Sequence, residues 1–238
     1  MLHLNTIDPF LYQILKDFSV LPELNDFFLV GGTSLALQMG HRKSDDLDFF
    51  TNSTFSVSTV KAAIFNYSPT FELLNETKNG ISFLLNVEEN PVPQRKIDIY
   101  NWAVKFIRPP MIEDNIKLAS LEDIAAFKLE AICHRKEKKD YVDIAVLLQK
   151  FSFGDLMSFY QEKYPYADKR VVLSQITDVQ DIEKSMDPVM LADMEIVGAI
   201  AQIENKVHEY SKFILDKQLQ AEKEREQKIR DLLAKKKY

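Results

Sequence analysis

Asp46 and Asp48 stand one leucine apart in the run SDDLDFF, and eleven residues separate Asp46 from the end of the string Gly31-Gly32-Thr33-Ser34. Side chains alternate along a strand, so a strand through the first run sets both carboxylates on one face and turns Leu47 to the other. Paired carboxylates repel, and each raises the other's pKa unless a cation lies between them. A hard divalent ion resolves that conflict, because magnesium takes oxygen ligands and is commonly held by one or two carboxylates together with substrate phosphates. The glycines supply the complementary half. Without a Cβ the backbone can approach a ligand closely, and the N–H groups opening the next helix, with the Thr33 and Ser34 hydroxyls, suit a phosphate. Either piece alone also reads as plain structure, a tight turn or a solvated acidic edge. Together, at this spacing, they point to a metal and phosphate site.

A second group of charges lies in KLEAICHRKEKKDYVDIAVL. Lys128 and Arg135 are seven apart, which places them on one face, about two turns apart, if a first helix runs that far. Asp140 and Asp143 are i,i+3 neighbours on a second helix. A lysine and an arginine converging on a polyphosphate, oriented by nearby carboxylates, suit phosphoryl or nucleotidyl transfer. By composition alone the segment is equally an amphipathic hairpin with a salt-bridged linker. A third carboxylate, Asp98, sits in Lys96-Ile97-Asp98-Ile99-Tyr100, where alternation puts Lys96, Asp98 and Tyr100 on one face.

A Gly-Gly turn followed by an Asp-x-Asp strand resembles the signature of the nucleotidyltransferase superfamily related to DNA polymerase beta. The fuller string GGTSLALQMGHRKSDDLDFF, through His41, Arg42, Ser44 and Leu47, is similar more narrowly to the AbiEii/AbiGii-type toxin nucleotidyltransferases of bacterial abortive-infection and toxin-antitoxin systems. The later segment resembles the second block of those toxins, which pairs a lysine and an arginine with a KDxxD string, here Lys139-Asp140-Tyr141-Val142-Asp143. The two blocks span residues 27 to 150. The resemblance implies transfer of a nucleoside monophosphate from a nucleoside triphosphate to an acceptor hydroxyl, with Mg2+, or Mn2+ in its place. It makes Asp46, Asp48 and Asp98 the metal carboxylates, with Gly31, Gly32, Thr33 and Ser34 at the phosphates. Lys128 and Arg135 then neutralise phosphate charge, and Asp143 and Asp140 orient the lysine or contact nucleotide. It further implies a toxin with transfer RNA as candidate acceptor and a separately encoded antitoxin as partner. Three other readings stay open: an enzyme of this class acting on a protein or a small molecule such as an aminoglycoside, a non-catalytic nucleotide-binding regulator, and a purely structural partner protein.

These groups need a scaffold, and the pattern predicts one of α+β class, a small mixed sheet with helices against it and a helical C-terminal region. Strands are predicted over 27–30, through Asp46 and Asp48, and over 70–75, 81–87 and 96–102. Asn79-Gly80 marks the turn between 70–75 and 81–87, and Pro91 and Pro93 break the connection to 96–102. A first helix is capped by Asp8 with Pro9 at its first position, its apolar face made by Phe10, Ile14, Leu15 and Phe18. Short helices follow from Thr33 or Ser34 and over 56–67. From Ser120 the period turns helical, over 120–133, 140–150, 153–163, 169–175 and 188–202. A last, charged helix over 203–238 carries an interrupted apolar stripe at Leu215, Leu219, Ile229 and Leu233. Tyr160, Tyr164 and Tyr166 form an aromatic cluster suited first to packing. The expected division is a core domain, 1–115, and a helical domain, 116–238, completing the cleft.

The chain of 238 residues, 46% hydrophobic and 28% charged, is ordinary for a folded protein and long enough for a substantial core. No apolar run reaches bilayer length and MLHLNTIDPF lacks a signal pattern, so the default expectation is the cytoplasm, with no membrane partner. The single cysteine, Cys133, makes no intrachain disulfide and excludes a cysteine zinc cluster. Net charge is −6, but 217–238 carry eight Lys or Arg against four Asp or Glu, leaving an acidic body at −10 and a basic tail at +4. An acidic body opposes broad capture of nucleic acid, which depends on phosphate neutralisation.

Overall fold

Alternation in the central strand decides how the sheet is used. In β2 (Leu47–Thr51) Leu47, Phe49 and Thr51 are buried while Asp48 and Phe50 are only partly so. The computed structural model describes residues 1–68, 70–85 and 95–235, with side chains described to 231. The strand end predicted at Val87, the breaks at Pro91 and Pro93 and the side chain of Leu233 lie outside the described residues. Among the described residues β1 (Phe28–Val30), β2, β3 (Phe71–Thr77), β4 (Gly80–Leu85), β5 (Arg95–Asn101), β6 (Met111–Glu113) and β7 (Ile116–Leu118) form one sheet in the order β3-β4-β5-β2-β1-β7-β6. Pairing is parallel between β2 and β5 and between β1 and β7, and antiparallel elsewhere. The mixed sheet with flanking helices is the predicted α+β class.

One face of the sheet is covered by α1 (Pro9–Phe18) and α3 (Val57–Tyr67). Leu11, Ile14, Leu15 and Phe18 of α1 pack with Leu47, Phe49, Ile81, Phe83, Ile97 and Ile99. Phe10 was predicted on this face but is 53% exposed, and Leu11 takes its place. The Asp8 carboxylate accepts from Phe10 N and Leu11 N, and Pro9 follows at the position where a missing N–H costs nothing.

The other face meets a helical layer: α2 (Gly31–Met39), α4 (Leu121–His134), α5 (Lys138–Leu147), α6 (Phe153–Lys163), α7 (Lys169–Ile176) and α8 (Ile196–Lys235). Its core joins Val30 and Leu35 to Ile124, Leu129, Ile132, Tyr141, Ile144, Leu147, Leu156 and Met157, closed by Ala199, Ile203 and Val207 of α8. Three features of these elements matter for the site. Helix α2 starts at Gly31 with no separate turn before it. Helix α4 stops at His134, and Arg135 has extended backbone at φ −150 and ψ 160, so Lys128 and Arg135 do not share a helical face. The pair β6–β7 was not predicted; β7 pairs parallel with β1 at Leu29 and Leu118 and leads into α4.

The predicted helices over 188–202 and 203–238 are one helix, α8. The residues around Pro188 are extended instead and bond to the loop after α2: Lys43 N donates to Val189 O, and Leu191 N to His41 O. Proline disfavours helix in the residue before it, and that loop offers strand-like partners. Beyond Tyr210, side chains to Asp231 are exposed apart from the half-buried Ile214. Among the described residues no helix is long and apolar enough to cross a membrane.

Candidate active site

The parallel register pairs Asp48 with Asp98, and both carboxylates leave the sheet on the face opposite the α1 core. Asp46 lies one residue ahead of β2, where its Oδ1 accepts from Lys96 N at 3.2 Å. Burial, and then the charges of Asp98 and Asp46, push the Asp48 pKa up to about 6. Burial is also the main reason that Asp46 is raised, with Lys139 and Lys96 working against it. Asp98 binds Lys96 Nζ through Oδ2 at 2.6 Å, while its Oδ1 is buried and has no hydrogen-bond partner.

The junction from β1 to α2 lies against this row of acids. Gly31 has φ +69, and a Cβ there would collide with the Asp48 carboxylate. At Gly32 a Cβ would collide with the guanidinium of Arg42. Glycine at both positions therefore lets the helix start pack onto two charged groups. Thr33 and Ser34, predicted at the phosphates, are buried instead, at 1% and 0% exposure. The Thr33 hydroxyl donates to Ser44 Oγ at 2.8 Å and to the Asp46 carbonyl, tying the helix start to the loop that carries the acids.

Across the cleft a buried network positions the cations. Lys128 Nζ is 2.8 Å from Asp140 Oδ1 and 2.5 Å from Asp143 Oδ2. Arg42 grips Asp143 through both oxygens, at 2.7 and 2.8 Å, and His41 Nε2 adds a third contact at 2.7 Å. Arg135 does the same to Asp140, at 2.7 and 3.1 Å. Asp140 and Asp143 are fully buried and do not reach the cleft; they pair with cations that line it. Burial opposes ionisation of both, but Arg42 and Lys128 hold Asp143 well below the usual carboxylate range, and Lys128 and Arg135 lower Asp140. Burial also works against the charge on Lys128, and Asp140 and Asp143 outweigh it, so its pKa is raised. A buried charge set of this kind is sustained only by such mutual pairing.

Two adjoining lobes result. A polar lobe of about 250 Å³ is lined by Gly31, Gly32, Arg42, Ser44, Asp46, Asp48, Lys96, Asp98, Lys128, Arg135 and Lys139. The second, about 330 Å³, shares Gly31, Asp48, Asp98, Lys128 and Arg135 with the first and adds Phe50, Trp102, Phe127, Glu130, His134 and Tyr164. There Phe50 and Trp102 stack at 5.3 Å with 7° between their planes, and Phe127 meets Phe50 edge-on at 5.8 Å. The wall is braced from behind, where Lys163 lies 4.2 Å from the Phe127 centroid and 2.7 Å from Asp123, which also accepts from Ile107 N and Arg108 N.

The cleft thus gathers Asp46, Asp48, Asp98, Gly31, Gly32, Lys128 and Arg135, and leaves Thr33, Ser34, Asp140 and Asp143 behind its walls. Roles for His41, Arg42, Lys96, Phe50, Trp102 and Phe127 were not assigned from sequence. His41 and Arg42 gave a signal, since two basic residues directly after Gly40 in a chain with buried acids invite pairing. Among the described residues no three or more of His, Cys, Asp and Glu form a group arranged to hold a metal ion. The donor chemistry still suits one: acids on a single face, Asp48 with its charge opposed by burial and then by its like-charged neighbours, and a buried Asp98 oxygen without a partner among the described residues.

In comparisons with solved structures, the fold is similar to that of JHP933 from Helicobacter pylori, with a TM-score of 0.57 and 17% identity over 92% of this chain and 95% of that one. A putative nucleotidyltransferase from H. pylori aligns with a TM-score of 0.52 and 18% identity over 87% and 93%. In sequence, an uncharacterized protein of Aquifex aeolicus is 29% identical over 168 residues, 68% of this chain and 78% of its own length. The profile described as nucleotidyl transferase AbiEii toxin, type IV toxin-antitoxin system, matches residues 13–233. With almost the whole length matched, the chain belongs to the AbiEii family of nucleotidyl transferase toxins.

Proposed function

We propose that the cleft binds a nucleoside triphosphate together with Mg2+, or Mn2+ in its place, and transfers the nucleoside monophosphate to an acceptor hydroxyl. The acceptor oxygen bonds to the α-phosphorus, the bond from that phosphorus to the bridging α–β oxygen breaks, pyrophosphate leaves, and the hydroxyl proton passes to solvent. The observation that carries this reading is the pairing of Asp48 with Asp98 in register at the start of α2, facing Lys128 across one cleft. Asp46, Asp48 and Asp98 would hold the metal, which supplies positive charge to ionise the acceptor hydroxyl and to offset charge on the triphosphate. The backbone at Gly31 and Gly32 accommodates phosphate at a helix start. Lys128 and Arg135, fixed by Asp140 and Asp143, meet charge that grows in the transition state without having to reorganise, the condition under which such groups contribute most. The aromatic lobe receives the nucleoside, whose base finds the faces of Phe50, Trp102 and Phe127.

Family membership favours transfer RNA as the acceptor and a cognate antitoxin as partner, both acting where nucleotide and RNA are found, in the cytoplasm. The acidic body keeps a protein or small-molecule acceptor as the second reading, because outside the tail the net charge opposes RNA. Incubation with each α-labelled nucleoside triphosphate and, separately, total RNA, cell protein and aminoglycosides distinguishes these. We expect label to reach RNA with wild type and to fall by at least about a hundredfold in Asp48→Ala and Lys128→Ala, the loss typical of removing a charge-stabilising group. Equal labelling by wild type and variants, or no labelling of any acceptor, overturns the assignment.

A further inference from the structure

Five cationic side chains line the polar lobe, and four are bound to carboxylates outside the acid row. Arg42 is held by Asp143, Lys128 by Asp140 and Asp143, Arg135 by Asp140, and Lys139 by Glu137 at 3.1 Å. Lys96 is the exception among the described residues. Its ammonium sits on Asp98 at 2.6 Å, and its backbone N–H donates to Asp46 at 3.2 Å. One residue therefore spans the row of acids from both ends. It also leaves the second oxygen of Asp98 buried and unpartnered, a carboxylate half engaged.

We propose that Lys96 is the cleft's resident counter-cation: its ammonium holds Asp98 in the place that a divalent ion takes when nucleotide loads, and then turns to the polyphosphate. The inference rests on the nucleotidyltransferase reading and adds to it a residue that gates the ion and positions the substrate. Three observations carry it. Strand β5 sets Lys96 and Asp98 on one face, i and i+2, so the side chain has only to swing along its own strand to move from acid to substrate. The Lys96–Asp98 pair is the more solvated of the two, its side chains 41% and 16% exposed against 5% and 0% for Lys128 and Asp140, and an ion pair open to water on its cationic side is worth about a fewfold in an equilibrium constant. It is therefore easily exchanged for a dication. Finally, Lys96 engages Asp46 through its backbone N–H and Asp98 through its ammonium, and among the described residues the second Asp98 oxygen stays buried without a partner.

The test is Mn2+ affinity without nucleotide, read by electron paramagnetic resonance, and affinity for a non-hydrolysable triphosphate analogue at saturating Mn2+. Wild type, Lys96→Met, Asp98→Asn and the double variant are compared, each first shown by its melting profile to be folded. We expect Lys96→Met to bind Mn2+ about two- to fivefold more tightly, the scale of a partly solvated pair, and to bind the analogue more weakly. A structural role alone does not move the two affinities in opposite directions. In the Asp98→Asn background, whose weaker Mn2+ binding then rests on Asp46 and Asp48, the Lys96→Met gain disappears, because the pair is already gone. A Lys96→Met variant with unchanged or weaker Mn2+ binding overturns the proposal, as does a gain that persists in the Asp98→Asn background and so reflects charge at a distance. Wild type that binds neither Mn2+ nor the analogue overturns the parent reading, and Lys96 with it.

Discussion

At Asp48 the fold holds a carboxylate that its own surroundings oppose. Its pKa in the folded protein is about 6, above the ordinary 3.8, through burial and the charges of Asp98 and Asp46. The sign follows directly: a raised carboxylate pKa favours the protonated fold, so stability falls as pH rises from about 4 to about 6 and is lowest above that range. Asp48→Asn, which removes the charge and keeps the shape, is expected to stabilise the metal-free protein by about 2–3 kcal/mol at pH 7 and by little at pH 4. Urea denaturation at both pH values checks this, and a variant less stable than wild type at pH 7 contradicts it. The pairing of Asp46 with Asp48, and the alternation that puts Asp98 on a cleft-facing side, were legible in sequence because strand period is a local property. The burial of Thr33 and Ser34 was not, because it depends on Ser44 and Asp46 folding back over the helix start. Nor was the trapping of Asp143 by His41 and Arg42, a contact across about a hundred positions of chain.

At the scale of elements, the junction of β1 with α2 tolerates little change. Gly31 adopts a left-handed φ of +69 beside the Asp48 carboxylate, so Gly31→Ala meets both backbone strain and a collision. We expect it to lower stability by about 1–2 kcal/mol and to weaken Mn2+ binding. Gly198→Ala in α8 is the control, since nothing lies within 4 Å of its added carbon; it is expected to be neutral or stabilising by up to about 1 kcal/mol. Thermal melts of the two variants give the comparison, and a Gly31→Ala protein as stable as wild type contradicts the account. Most helices were legible from caps and apolar period, as Asp8-Pro9 and Ser120 illustrate. The short strands β6 and β7 were not, because three-residue strands are specified by the neighbour they pair with. The end of α4 at His134 was legible to within a residue of the predicted 133, but the path of Arg135 beyond it was not, because Arg135 leaves the helix to reach Asp140, a tertiary contact.

Over the whole molecule, the acids come from the sheet and the fixed cations from the helical layer, so the cleft exists only where the two cores meet. Helix α8 serves that layer through Ala199, Ile203 and Val207 and then runs on with exposed side chains. Deleting residues 218–238 is therefore expected to change the unfolding free energy by less than about 1 kcal/mol, as for any solvated helix end. A larger loss in chemical denaturation shows that the segment packs on something. Sequence separated this basic stretch from the acidic body by composition, but its continuity with the helix before it shows only in the structure, where one helix runs from Ile196 through Gly198 to Lys235. With 40 residues at 1.5 Å each, α8 is about 60 Å long, whereas a compact chain of this size has a radius of gyration near about 18 Å. A particle with such a spar drags more solvent than a ball of equal mass. Its elution from a sizing column will overstate its weight, and a single copy will pass for a larger assembly until sedimentation equilibrium gives the true mass.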